Sequence, residues 1–147
     1  MSQTANGSFE IKIVPLEFEG QAEGSKLGRM SIAKTISGDL VATTQGQMLS
    51  AMGQVAGSAG YVAIEQVQGT LGGREGSFVL QHSGSMNQGQ PSLTVKVVPD
   101  SGTGGLQGLT GEFKISMNDG QHGYEFDYEL PEPATESAAE AVKGPAK

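Results

Sequence analysis

Residues 60–86, GYVAIEQVQGTLGGREGSFVLQHSGSM, read as two strands of period two folded back on each other at Gly72-Gly73. Both glycines can take the positive φ that a two-residue hairpin loop requires. That turn sets Leu71 opposite Arg74, Val67 opposite Phe78, Glu65 opposite Leu80 and Ala63 opposite His82. One face then carries Tyr61, Ala63, Glu65, Val67, Leu71, Phe78, Leu80 and His82. The other carries Gln66, Gln68, Thr70, Glu75, Ser77, Gln81 and Ser83, with Val62, Ile64 and Val79 as apolar exceptions. The mostly apolar face holds a carboxylate and an imidazole as diagonal cross-strand neighbours, roughly 7 Å apart along the backbone and within side-chain reach.

The flanking chain repeats the pattern. Phe9, Ile11 and Ile13 alternate with Glu10 and Lys12 in a strand from Gly7, until Pro15, which cannot donate to a ladder, marks an edge or a bulge. Met30, Ile32, Lys34 and Ile36 share one face of the next strand. Leu40, Ala42, Thr44, Gly46 and Met48 form a row of the strand after it, and the intervening Ser37-Gly38-Asp39 turn leaves its register open. Residues 49–58, LSAMGQVAGS, read as a connection with at most one helical turn, because Gly53 and Gly57 disfavour a longer one. Beyond the central hairpin come a strand carrying Leu93, Val95 and Val97, a polar turn from Pro99 to Gly105, and a strand beginning at Leu106. A final hairpin turns at Asp119-Gly120 and pairs Met117 with His122, Ile115 with Tyr124, Phe113 with Phe126 and Gly111 with Tyr128.

Eight strands joined by antiparallel turns, each with one wet and one apolar face, must bury the apolar faces against one another. An up-and-down barrel does this without crossovers and removes both sheet edges, so an all-β, closed, antiparallel eight-stranded barrel is expected over 7–130. Residues 1–6 are expected to be a disordered N-terminus. Residues 131–147, rich in Pro, Ala and Glu, are expected to be a flexible acidic tail.

Composition narrows the function classes. Cysteine is absent, which excludes disulfides, thiolate catalysis and cysteine-ligated metals. A net charge of −7, with nine Lys and Arg forming no stripe, argues against a nucleic-acid surface. No apolar run approaches the roughly 20 residues of a membrane helix, and the N-terminus lacks the regions of a signal peptide, so a cytoplasmic location is expected. The two histidines sit on different hairpins with no HxH or HExxH pattern, which leaves metal binding without support. Gly102-Thr103-Gly104-Gly105 lacks the Lys-Ser/Thr and the helix of a phosphate loop, and no cofactor is expected.

The stretches GRMSIAKTISGDLVATTQGQMLSA, AGYVAIEQVQGTLGGREGSFVLQHSGSMNQGQPSLTVKVVPDSGTGGLQGL and DGQHGYEFDYEL resemble a bacterial family of uncharacterised proteins, a domain of unknown function with an allene-oxide-cyclase-like barrel. The resemblance spans roughly Gly7 to Leu130. It implies the barrel and a homo-oligomer but supplies no activity, because fold does not transfer function.

Burying the Glu65 carboxylate costs free energy unless it is paired or protonated. Glu65 and His82 are therefore the candidate catalytic pair for proton transfer. The competing reading is a Glu65–His82 or Glu65–Lys34 pair that satisfies itself across the lumen. Tyr61, Lys34, His122, Tyr124, Tyr128 and Phe78 complete a candidate ligand-binding lining. Two functions follow: a barrel binding one small apolar or amphipathic ligand, with isomerase- or cyclase-like chemistry at Glu65 and His82, or a non-catalytic oligomeric scaffold with a filled lumen.

Overall fold

The computed structural model describes residues 2–132. Its elements are all strands: β1 (Ser2–Leu16), β2 (Leu27–Gly38), β3 (Leu40–Met52), β4 (Ala59–Leu71), β5 (Arg74–Asn87), β6 (Gln90–Val97), β7 (Thr103–Gly104), β8 (Thr110–Asn118) and β9 (Gln121–Glu129). Every pairing is antiparallel, and the ring β1-β2-β3-β4-β5-β6-β8-β9 closes back on β1 as an eight-stranded barrel. The two-residue β7 attaches to the lower part of β5. Among the described residues no helix is long and apolar enough to cross a membrane.

Both glycine-dependent hairpins hold the register expected of them: Leu71 pairs with Arg74, Ala63 with His82, Asn118 with Gln121 and Met117 with His122. Gly72 and Gly73 have φ of 59° and 80°, the left-handed values the turn demands. The β2–β3 register left open by the sequence pairs Ile36 with Ala42. That turn is gripped by β1, because Asp39 N–H donates to the Asn6 carbonyl at 3.0 Å and Asn6 N–H to the Asp39 carboxylate at 2.9 Å.

Three expectations are corrected. Residues 2–6 are not a loose N-terminus; they extend β1 and pair with β9, Ser2 against Glu129 through Asn6 against Glu125. Leu49–Met52 continue β3 opposite Ala59–Val62, so no helical turn interrupts the ladder, whose pairing satisfies every backbone group a helical turn would have. Leu106 does not start a strand. Residues 105–109 form a tight turn held by Leu106 N–H to the Thr103 carbonyl (2.9 Å) and Leu109 N–H to the Leu106 carbonyl (3.1 Å), and both leucines plug the lower end of the barrel. Residues 133–147, the bulk of the expected tail, lie outside the described residues.

The lumen has two halves. Below, Leu40, Val67, Leu71, Phe78, Leu80, Val97, Leu106, Leu109, Phe113 and Phe126 make a continuous buried core. Phe126 is its hub, with ring centroids 5.3 Å from Phe113, 5.9 Å from Phe78 and 5.2 Å from Tyr128. Above, β1 outruns the short β8–β9 hairpin and β6 parts from β8, which leaves the wall incomplete. β1 pairs with β9 only as far as Phe9, so Glu10–Leu16 have β2 alone as neighbour. Pro15 falls in this one-sided stretch, where its missing N–H costs no ladder bond. β6 meets β8 at the single pair Lys96 and Glu112.

Candidate functional site

At the boundary between the packed and open halves, four consecutive strands each direct one polar side chain inward: Lys34 from β2, Thr44 from β3, Glu65 from β4 and His82 from β5. Strand alternation puts all four in inward rows, and the ladders bring the rows level, with Lys34 opposite Thr44 and Glu65 two residues along β4 from His82's partner Ala63. Gly46 occupies the β3 position directly across from Glu65, where an added Cβ would lie 2.8 Å from the Glu65 Cα and 3.1 Å from its Cβ. Between Lys34 and Glu65 the intervening strand thus presents the absent side chain of Gly46 beside the small Thr44.

Glu65 has no solvent exposure. Its Oε1 accepts from Lys34 Nζ at 3.2 Å and lies 2.8 Å from His82 Nε2, while Oε2 makes no hydrogen bond among the described residues. Burial by itself pushes the carboxyl pKa up. The His82 hydrogen bond, the Lys34 charge and the Thr44 hydroxyl together outweigh burial and hold the group below the usual carboxylate range. The Thr44 hydroxyl oxygen in turn accepts the Lys34 backbone N–H at 3.1 Å. Lys34 Nζ also sits 4.7 Å from the centroid of the Phe9 ring, a cation–π contact. His82 engages Glu65 through Nε2, which leaves Nδ1 as its other ring nitrogen.

Above this cluster lies a cavity of about 260 Å³ whose walls include Phe9, Ile32, Lys34, Tyr61, His82 and His122. Its polar lining consists of nitrogen bases and a phenol, and no carboxylate reaches it. A second, almost wholly apolar hollow of about 390 Å³ continues outward along the inner faces of β3 to β6 past Met86, Pro91 and Leu93, and shares Met48, Tyr61 and Leu93 with the first. Tyr61 stands between the two. Its ring lies over Gly84, whose place a Cβ would contest, and is centred 6.4 Å from His82. Burial, and then the Glu65 charge, raise the Tyr61 pKa.

The remaining candidates divide. His122 reaches the cavity rim, stacked on Phe9 with centroids 5.0 Å apart. Tyr124, Tyr128 and Phe78 belong to neither hollow. Tyr124 Oη accepts the Leu40 N–H at 3.0 Å and donates to the Ser37 carbonyl at 2.9 Å, locking the β2–β3 turn. Tyr128 Oη donates to Gln3 Oε1 at 3.2 Å near the closed end, and Phe78 is core. Sequence reasoning missed the apolar lining contributed by Ile32 and Leu93; both sit in inward rows, but nothing local shows that the wall beside them stays open. No group of three or more His, Asp or Glu side chains that could hold a metal occurs among the described residues.

The fold and the lumenal cluster define a class: a closed antiparallel barrel, packed at one end, with a buried Lys–Glu–His cluster beneath an open mouth. The family model for proteins of unknown function designated DUF3224 matches residues 5–128, and the chain belongs to that family. A crystal structure of a protein of unknown function from the DUF3224 family of Shewanella oneidensis MR-1 is similar to it at 51% identity, with a TM-score of 0.85 over 89% of this chain and 98% of that one. No curated protein matches the chain.

Proposed function

We propose that the barrel binds one small amphipathic molecule in its open half and that His82, oriented by Glu65, exchanges a proton with it. The observation that carries this reading is the cavity whose polar wall, among the described residues, is made of Lys34, Tyr61, His82 and His122 without a carboxylate. Such a wall suits an electron-rich oxygen, a carbonyl or hydroxyl, while the adjoining hollow of Met86, Pro91 and Leu93 suits an apolar body. With a carbonyl oxygen near Lys34 Nζ, His82 Nδ1 takes the proton from the adjacent carbon, and the ammonium stabilises the negative charge that develops on oxygen. Return of the same proton to a different carbon completes an isomerisation with no co-reactant. Glu65 touches no ligand in this scheme and acts by fixing the His82 tautomer.

A scaffold with a filled lumen accounts for the packed lower half, where Phe126 and its neighbours leave no space, but not for a buried ion cluster facing a cavity. Native mass spectrometry of freshly purified protein, compared with the same sample after denaturation and organic extraction, separates the two. A retained small molecule released by extraction is expected. Identical bare masses before and after, together with no binding of short-chain enones or hydroxyketones by the bare protein, would leave the scaffold as the better reading.

A further inference from the structure

We infer that the outer face of β3, β4 and β5 is a self-association surface through which two copies of this chain form a two-fold dimer. The ladders arrange the outward side chains of these strands in a grid: Thr43, Gln68 and Ser77 in one row, then Gln45, Gln66 and Val79, then Gln47, Ile64 and Gln81, then Leu49, Val62 and Ser83. None of the twelve is charged. Three of its four apolar members stand in water, with Val62 52%, Ile64 53% and Leu49 44% exposed while Val79 is half-buried, and Val41 extends the strip at 59%. The opposite half of the barrel is built differently: outward positions on β1, β8 and β9 carry Glu10, Lys12, Glu112, Lys114, Glu125 and Asp127.

Charge decides which partner fits. At a net charge of −7, copies of this chain repel one another in most orientations. Meeting grid to grid, they bring no acidic side chains of the twelve together, with the Arg29 guanidinium held at the border where it donates to Gln47 Oε1 at 2.9 Å, and exclude water from β-branched and leucine side chains. The glutamine amides, each both donor and acceptor, can pair with the same residues of the other copy, so the surface is self-complementary. A basic or acidic protein partner would find no countercharge among the twelve, only Arg29 and Lys96 at the border. A shallow depression centred on Gly46 and bordered by Ile64, Gln66 and Val79 offers a seat for a protruding side chain of the facing copy. A single self-complementary patch closes a two-fold dimer, whereas a larger ring would need two different patches. Four rows about 7 Å apart along three strands about 4.8 Å apart cover roughly 400 to 500 Å² per copy. That total of roughly 800 to 1,000 Å² lies below the standard size of specific interfaces, in the range of weak, transient ones, so the dimer should dissociate on dilution.

Sedimentation velocity on the full chain from about 1 to 200 μM, beside the Ile64→Lys variant and a Glu112→Lys control on the charged face, tests this. Wild type and control should approach twice the 15.2 kDa chain mass at high concentration. Ile64→Lys should stay at one chain mass, because two-fold symmetry sets the new charge in the interface twice and raises the dissociation constant more than about thirtyfold. Circular dichroism monitors folding, and Gln66→Lys, a change at an exposed polar site, carries the test if Ile64→Lys unfolds. A monomeric wild type across the range, a trimer or larger ring, or a dimer unaffected by the lysine each overturns the inference.

Discussion

Replacing Glu65 by Gln removes the only carboxylate in a cluster where Lys34 is almost as deeply buried, and leaves that ammonium without a counter-ion. Loss of one partner of a buried pair costs about 3 to 5 kcal/mol, so the variant should unfold at markedly lower urea than wild type at pH 7. The pH dependence carries a sign. The folded-state pKa of Glu65 lies below its ordinary value of 4.5, so its stabilisation is complete above the unfolded-state pKa and disappears as pH falls through the folded one. Wild type should therefore lose stability steadily below about pH 4.5, and Glu65→Gln should show a flatter acid limb when thermal unfolding is followed from pH 7 to pH 2.5. Lys34→Met alone should be destabilising because it strips the carboxylate of its cation. The double variant Lys34→Met/Glu65→Leu should regain much of the loss, since well-packed apolar replacements of a buried pair are commonly neutral or better. A double variant less stable than either single one, measured by urea titration, would mean that Lys34 and Glu65 act separately.

Among elements, the hairpins were legible because a hairpin is a local object: Gly72-Gly73 and Asp119-Gly120 each fix a turn, and the turn fixes every partner outward from it. The Glu65–His82 contact was legible for the same reason, two residues on one hairpin. The Lys34–Glu65 pair was legible as one of two alternative pairings across the lumen, but that Lys34 and His82 share one carboxylate oxygen was not, since the reach across β3 depends on a register set at Ser37-Gly38-Asp39 by contacts with Asn6 and Tyr124, residues remote in sequence. The placing of Tyr124 went astray for the complementary reason. Its inward row was read correctly, but nothing local reveals that its hydroxyl serves a turn two strands away, beyond β1. Tyr124→Phe should cost about 1 to 3 kcal/mol in denaturant titrations by leaving the buried Leu40 N–H unpaired, and the Leu40 amide should exchange with solvent faster. Gly7→Ala should cost more, because its Cβ would collide with the Ser37 carbonyl oxygen and with Tyr124.

At the scale of the whole molecule, the barrel is uneven around its circumference. The β4–β5 ladder runs without interruption from Ala59 and Met86 to Leu71 and Arg74, whereas β6 and β8 share one pair. The amides of Gln90, Ser92, Leu93 and Thr94 should accordingly exchange well before those at the centre of β4, a contrast that hydrogen exchange read by mass spectrometry or NMR would register. Equal protection on both sides would mean that the seam is held by more than its ladder. The pairing of Ser2 with Glu129 has a different reach. It makes the first residues of the chain wait for the last strand, so the ring stays open, with two free edges, until nearly all of the barrel has left the ribosome. It also sets the start of β1 beside the end of β9, close enough for a short turn to join them. A circular permutant joined there and opened within residues 53–58 would keep every ladder except for new ends at β3 and β4, and would turn the most distant pairing in the chain into a hairpin. Such a rearrangement should leave the barrel's shape intact while shortening its search for closure.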